Sequence, residues 1–135
     1  MKTEIIKWIF RIVVSGILLQ TLYFKFSGAE ESIYIFRNLG IEPYGRIGTG
    51  IAELIIAILI LIPKTTWLGA LGGCGVMIGA ILSHLFVLGI EVKNDGGLLF
   101  SLALITFICC LILLYLNKNI IINLLKKNNY ANKIN

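Results

Sequence analysis

The feature that most limits how this chain can fold is the length of its apolar runs. From Trp67 to Ile90 there is no Asp, Glu, Lys or Arg. Three further apolar runs extend over about Trp8–Phe26 (interrupted by Arg11 and Lys25), Ile47–Ile62 (interrupted by Glu53) and Gly97–Leu116. Runs near twenty apolar residues cross a bilayer as helices, because only a helix satisfies its own backbone polar groups in hydrocarbon. Strands are excluded: the runs are continuous rather than alternating, and too long. The second run is the shortest, with Pro43 before it as a turn and Pro63 after it as a stop. Short connections make successive spans antiparallel neighbours, so the predicted fold is an all-α antiparallel four-helix transmembrane bundle. One membrane domain is expected over 1–116, followed by a basic tail over 117–135 that extends the last helix amphipathically and then becomes disordered. The composition agrees, with 58% hydrophobic and 14% charged residues in 135.

The first run is read as a retained span rather than a signal peptide, because Arg11 interrupts it and no small-residue cleavage site follows. An even number of spans places both termini on one side. That side carries Lys2, Lys7, Lys64, Lys118, Lys126, Lys127 and Lys133, against Lys25, Arg37, Arg46 and Lys93 on the other. The imbalance predicts cytoplasmic termini. Trp8, Trp67 and Tyr115 then sit at the inner interface, and Tyr23 and Tyr44 at the outer one. The net charge of +5 reflects this bias and the tail. The basic residues are dispersed and form no nucleic-acid-binding module.

Between the first two spans, "SGAEESIYIFRNLG" reads as a short interfacial helix, with Ser27 and Glu30 as a capping box and Gly40 as its stop. Its plain role is to lie on the membrane surface. A sharper one is a lid or docking surface over the bundle mouth.

Four polar residues, one per span, fall in one layer near the outer face. At ~1.5 Å per helical residue, Glu53 lies ~10 Å deep, His84 ~9 Å, Gln20 ~8 Å and Ser101 ~6 Å. Thr49 and Arg46 share the Glu53 face. Gln20 and Lys25 point in nearly opposite directions. Lys25, with its long stem, is therefore the better partner for Glu53. Arg11 lies about 12 Å away along the normal and is expected to meet a lipid phosphate or a helix-end carbonyl. Glu53 and Lys25 read either as a structural ion pair or as a proton-handling or ligand-binding group, and His84 either as a packing residue or as part of the same pocket. One His and one Glu are too few for a metal site.

In the third span, Gly69–Gly73 and Gly75–Gly79 have the GxxxG spacing of close helix packing. They are assigned to contacts within the chain, with homodimerisation as the alternative. Cys74, Cys109 and Cys110 all lie within spans, form no CxxC and are assigned to packing. This argues against a dithiol enzyme.

The segments "LLQTLYFKFSGAEESIYIFRNLGIEPYGRIGTGIAELIIAILILIP", "GVMIGAILSHL" and "EVKNDGGLLFSLALIT" together resemble the DoxX family of small bacterial membrane proteins, over roughly residues 8–116. Arg11, Lys25, Glu53 and His84 stand in the order and spacing of that family's pattern. The resemblance implies a four-helix inner-membrane protein. Some relatives are subunits of thiosulfate:quinone oxidoreductase, some accompany oxidative-stress enzymes, and distant animal relatives are membrane-protein chaperones. The chain shows no cofactor domain or cofactor motif, so it is expected to be an accessory protein rather than a complete enzyme. No resident cofactor is expected, and a quinone or lipid is the ligand considered for the pocket. A redox-system subunit with a membrane or soluble oxidoreductase partner is the leading reading, a membrane-protein assembly factor the alternative, and a small-molecule transporter the weakest.

Overall fold

The computed structural model describes residues 1–131. The disordered end expected for the tail lies partly outside them, at 132–135. Among the described residues the chain is helical throughout, with α1 (Lys2–Ser27), α2 (Glu30–Asn38), α3 (Tyr44–Leu61), α4 (Thr66–Ser83), α5 (Leu98–Leu116) and α6 (Lys118–Ala131). A π-helical turn, His84–Leu88, continues α4. Four of these helices are long and apolar enough to cross a membrane: α1, α3, α4 with its π turn, and α5.

The bundle is closed as a ring, α1 packing on α3 and α5, and α4 packing on α3 and α5. Its centre is made by Val14 and Leu18 of α1, Ala57 and Ile60 of α3, Ala70 of α4, and Cys110 and Leu113 of α5, each at most 1% exposed. The outside is equally apolar. Phe86, Val87, Ile58 and Leu111 are 80%, 56%, 51% and 47% exposed. A surface of this kind is stable only where lipid covers it.

Local chemistry sets the helix ends. Pro63 cannot donate to the helix before it, and the carbonyls left over at the end of α3 are met by hydroxyls. Thr65 Oγ1 donates to Leu59 O at 2.9 Å, and Thr66 Oγ1 to Ile60 O at 3.0 Å. Gly28 ends α1 at φ +67°, a left-handed position that glycine adopts at little cost. At the start of α5, the Asp95 carboxylate accepts from the backbone N–H groups of Val92, Gly97 and Leu99 at 2.9, 2.9 and 3.0 Å.

Three expectations need correction. The Ser27–Glu30 capping box does not form. Ser27 remains in α1 and donates to Phe24 O, Ala29 is the residue before α2, and Glu30 turns instead to Lys93 at 2.6 Å. The tail does not extend α5. Asn117 folds its side chain back onto Leu113 O at 2.7 Å, the helix breaks there, and α6 begins anew and is helical through Ala131. The small-residue face of α4 divides in two. A Cβ on Gly69 would lie 2.8 Å from Ile60 N, and one on Gly73 2.7 Å from Cys110 Sγ, so both glycines permit close crossings. Gly75 and Gly79 have nothing within 4 Å of such a Cβ, and both are exposed. Neither makes a close crossing within this chain: Gly75 faces open space, and Gly79 borders the cavity at the α2 end of the bundle.

Candidate functional site

The last turn of α1 is tied to α3 at two points, both through Lys25. Its ammonium lies 2.5 Å from Glu53 Oε2, with the two side chains 14% and 5% exposed. Its backbone carbonyl, one of those left unpaired at a helix end, accepts from Arg46 Nη1. The pairing places a cation where the α1 dipole is negative. Thr21, one turn before Lys25, donates to the same Oε2 at 3.1 Å. Glu53 Oε1 has no hydrogen-bond partner among the described residues.

His84 is fixed by the π turn. Gly89 N–H donates to His84 O at 2.8 Å, the five-residue closure that defines the turn. In return the His84 Nδ1–H donates to Gly89 O at 2.8 Å. Gly89 has φ +82° and ψ 171°, a conformation open almost only to glycine. A carbonyl can only accept, so Nδ1 carries a proton, which leaves Nε2 as the acceptor whenever the ring is neutral. Phe100 holds the ring edge-on at a centroid distance of 5.6 Å.

Glu53, Lys25, Thr21 and His84 all border a cavity of about 660 Å³ at the α2 end of the bundle. Its walls are mainly apolar: Leu18 and Phe24 of α1, Val76, Met77 and Ala80 of α4, and Leu99, Leu102 and Ala103 of α5. The inner face of α2, with Ser32, Ile35, Phe36 and Leu39, closes the top. The Glu30–Lys93 pair ties α2 to the α4–α5 connection, and the Lys93 ammonium lies 5.4 Å from the centre of the Tyr34 ring. Both ends of that tie lie outside the spans. Hydrogen bonding to Lys93 holds the Glu30 carboxyl below its ordinary range. Burial pushes the Asp95 carboxyl up, but its three backbone bonds, from Leu99, Val92 and Gly97, outweigh this and hold it low.

Gln20 borders the cavity from an exposed position and makes no side-chain hydrogen bond among the described residues. Two expected members lie elsewhere. Ser101 is exposed and returns its hydroxyl to Gly97 O at 2.8 Å. It has the right depth but the wrong face: Thr106, five residues on and about 140° round the helix, is the polar α5 residue that borders the cavity. Thr106 Oγ1 is buried without a partner. Arg46 shares the Glu53 face but reaches upward to Glu42, at 2.9 and 3.1 Å, and to the end of α1. Thr21, Thr106, Glu42 and Asp95 were not singled out from the sequence. Helical phase alone could have found the first two, since Thr21 precedes Lys25 by one turn, and Thr106 falls one turn after Leu102 and Ala103. Among the described residues no three His, Cys, Asp or Glu side chains are grouped closely enough to hold a metal.

These features define a class, an all-helical membrane protein whose four spans enclose an apolar cavity with a charge pair on its wall. A profile of the DoxX family matches residues 6–89, well over half of the chain, and the chain belongs to that family. The matched stretch contains Arg11, Lys25, Glu53 and His84, while α5 lies beyond it. No curated protein and no solved structure matches the chain.

Proposed function

We propose that this DoxX-family protein binds a small lipid-soluble molecule in the cavity under α2, and that it serves a redox system as its membrane component. The observation that carries the reading is the set of polar atoms left without partners on an otherwise apolar wall. Glu53 Oε1 and His84 Nε2 are acceptors, and Thr106 Oγ1 is a buried hydroxyl with no bond. Unsatisfied groups of this kind are costly unless a ligand completes them. The volume falls within the range of small-molecule sites. A quinone head fits this donor and acceptor set in both redox states. A quinone carbonyl can accept from Lys25 or Thr106, and a quinol hydroxyl can donate to Glu53 or His84. The apolar walls suit the ring and its tail. The inner membrane, with the termini cytoplasmic and the cavity toward the outer face, is the setting that the lysine distribution supports.

The test uses a short-chain ubiquinone analogue and its quinol, titrated into the purified protein and followed by equilibrium dialysis. Saturable binding should weaken by about tenfold or more in Glu53→Gln, the worth of one charge-assisted hydrogen bond. Absence of saturable binding to the wild type, or equal binding by Glu53→Gln and His84→Ala, refutes the site. Copurification of an oxidoreductase tests the partnership separately.

A second reading, an assembly factor for another membrane protein, is favoured by the open surface of α4 at Gly75. Small exposed residues of this kind allow a foreign helix to approach closely in lipid. Crosslinking from Gly75→Cys to another polypeptide would support it.

A further inference from the structure

At the opposite end of the bundle from the cavity, Arg11 is 2% exposed. Its Nε and Nη1 are buried and have no hydrogen-bond partner. Among the described residues no carboxylate hydrogen-bonds it, and Glu4 acts on it only at a distance. The chain has seven acidic residues. Glu30, Glu31, Glu42, Glu53, Glu91 and Asp95 all belong to the other end. Glu53, the deepest of them, pairs with α1 through Thr21 and Lys25, ten or more residues and so about 15 Å beyond Arg11. Glu4 is 61% exposed and holds Lys7 at 2.8 Å. A buried guanidinium without a counter-charge is among the most unfavourable arrangements a membrane helix can contain.

We propose that Arg11 is the anchor of a phosphate-type anion site at this end of the bundle, filled by a phospholipid headgroup or by free phosphate. The surroundings carry a net positive charge, with Glu4 the one acidic residue at this end and bonded to Lys7. Lys7 lies one turn before Arg11 on the same face, and Lys2, Lys64 and Lys118 belong to the same end. The guanidinium fork matches two phosphate oxygens, which an ammonium does not. The Trp8 ring covers the guanidinium, 5.0 Å from Cζ to the ring centre. Trp8 is itself 42% exposed, so it can swing aside toward the headgroup region and uncover the buried nitrogens. An Arg beneath an interfacial Trp, ringed by lysines, is a site that takes its missing charge from the membrane surface.

The experiment measures thermal midpoints of the full chain, delipidated in a neutral detergent. The additions are phosphatidylglycerol, phosphatidylcholine or inorganic phosphate at matched ionic strength. Phosphatidylglycerol should raise the midpoint of the wild type by about 3 °C or more over phosphatidylcholine. Arg37→Gln, which removes an exposed cation at the opposite end of the bundle, should keep that shift, and Arg11→Met should lose it. Without lipid, Arg11→Met should be at least as stable as the wild type, because the uncompensated charge is gone. A shift with inorganic phosphate alone identifies the free anion as the ligand of the same site. If neither phosphatidylglycerol nor phosphate affects the wild type, or if Arg11→Met keeps the full shift, the proposal is wrong. Should Arg11→Met fail to fold, Arg11→Lys gives the same reading: a reduced shift supports the fork, and a full one overturns it.

Discussion

Exchanging Glu53 for Gln and Lys25 for Met, singly and together, measures how strongly α1 and α3 are coupled. The pair is short, at 2.5 Å, and the Glu53 side chain is 5% exposed. Breaking a fully buried pair costs about 3–5 kcal/mol, because the surviving charge is left without compensation. Two features reduce that figure here. Lys25 keeps 14% exposure and can reach toward the interface, and an amide oxygen at position 53 can still accept from Thr21. Glu53→Gln should therefore cost about 2–3 kcal/mol. Lys25→Met leaves a carboxylate with one hydroxyl donor and should cost about 3–4 kcal/mol. The double variant carries no buried charge and should be about as damaged as Lys25→Met alone, not the sum of the two single variants. The cycle should return a coupling of about 2–3 kcal/mol, read from unfolding of the detergent-solubilised protein in sodium dodecyl sulfate. A coupling below about 0.5 kcal/mol would place the pair among exposed ion pairs and refute the argument.

Gly69→Ala should destabilise by about 1–3 kcal/mol, since its Cβ would meet the Ile60 and Ile56 backbone at 2.8 and 3.0 Å. Gly75→Ala, facing open space, should be neutral or stabilise by up to about 1 kcal/mol, and thermal midpoints decide both. Asp95→Ala should cost about 1 kcal/mol through the loss of the α5 cap. The lowered Asp95 pKa means that its contribution is present above the ordinary value of 3.8 and is lost as pH falls through the folded value. Asp95→Ala should thus flatten the acid limb of a stability–pH curve. For topology, Asn38→Cys should react with an impermeant thiol reagent in intact spheroplasts, and Lys64→Cys only after the membrane is opened. The reverse pattern inverts the orientation.

The four spans were legible because the bilayer demands contiguous apolar length, which is a one-dimensional property. The Lys25–Glu53 contact was legible for a related reason: depth and stem length nearly determine which charges can meet. Ser101 and Arg46 show where depth stops being enough. Each lies on a helix that reaches the site, but Ser101 is rotated off the cavity, and Arg46 has nearer partners in Glu42 and the Lys25 carbonyl. The glycines of α4 failed for the same reason. The spacings Gly69–Gly73 and Gly75–Gly79 are identical, and only the packed helices reveal that the first pair sits at close crossings while the second has open space beside it. The π turn at His84 leaves no mark in a hydropathy pattern, because it changes the winding of the helix without changing its composition.

That turn is also a matter of chain length. A regular helix closes each ring over four residues, whereas the ring from His84 closes over five, so this span carries one residue more than its height requires. Deleting one of Leu85, Phe86 or Val87 would leave a continuous α-helix that still crosses the membrane. Gly89 would then arrive one position early, and its carbonyl would no longer stand opposite Nδ1. The imidazole would be free to turn and to carry its proton on either nitrogen. A single codon in this stretch therefore separates a span that only anchors the protein from one that presents a histidine with a defined donor and a defined acceptor.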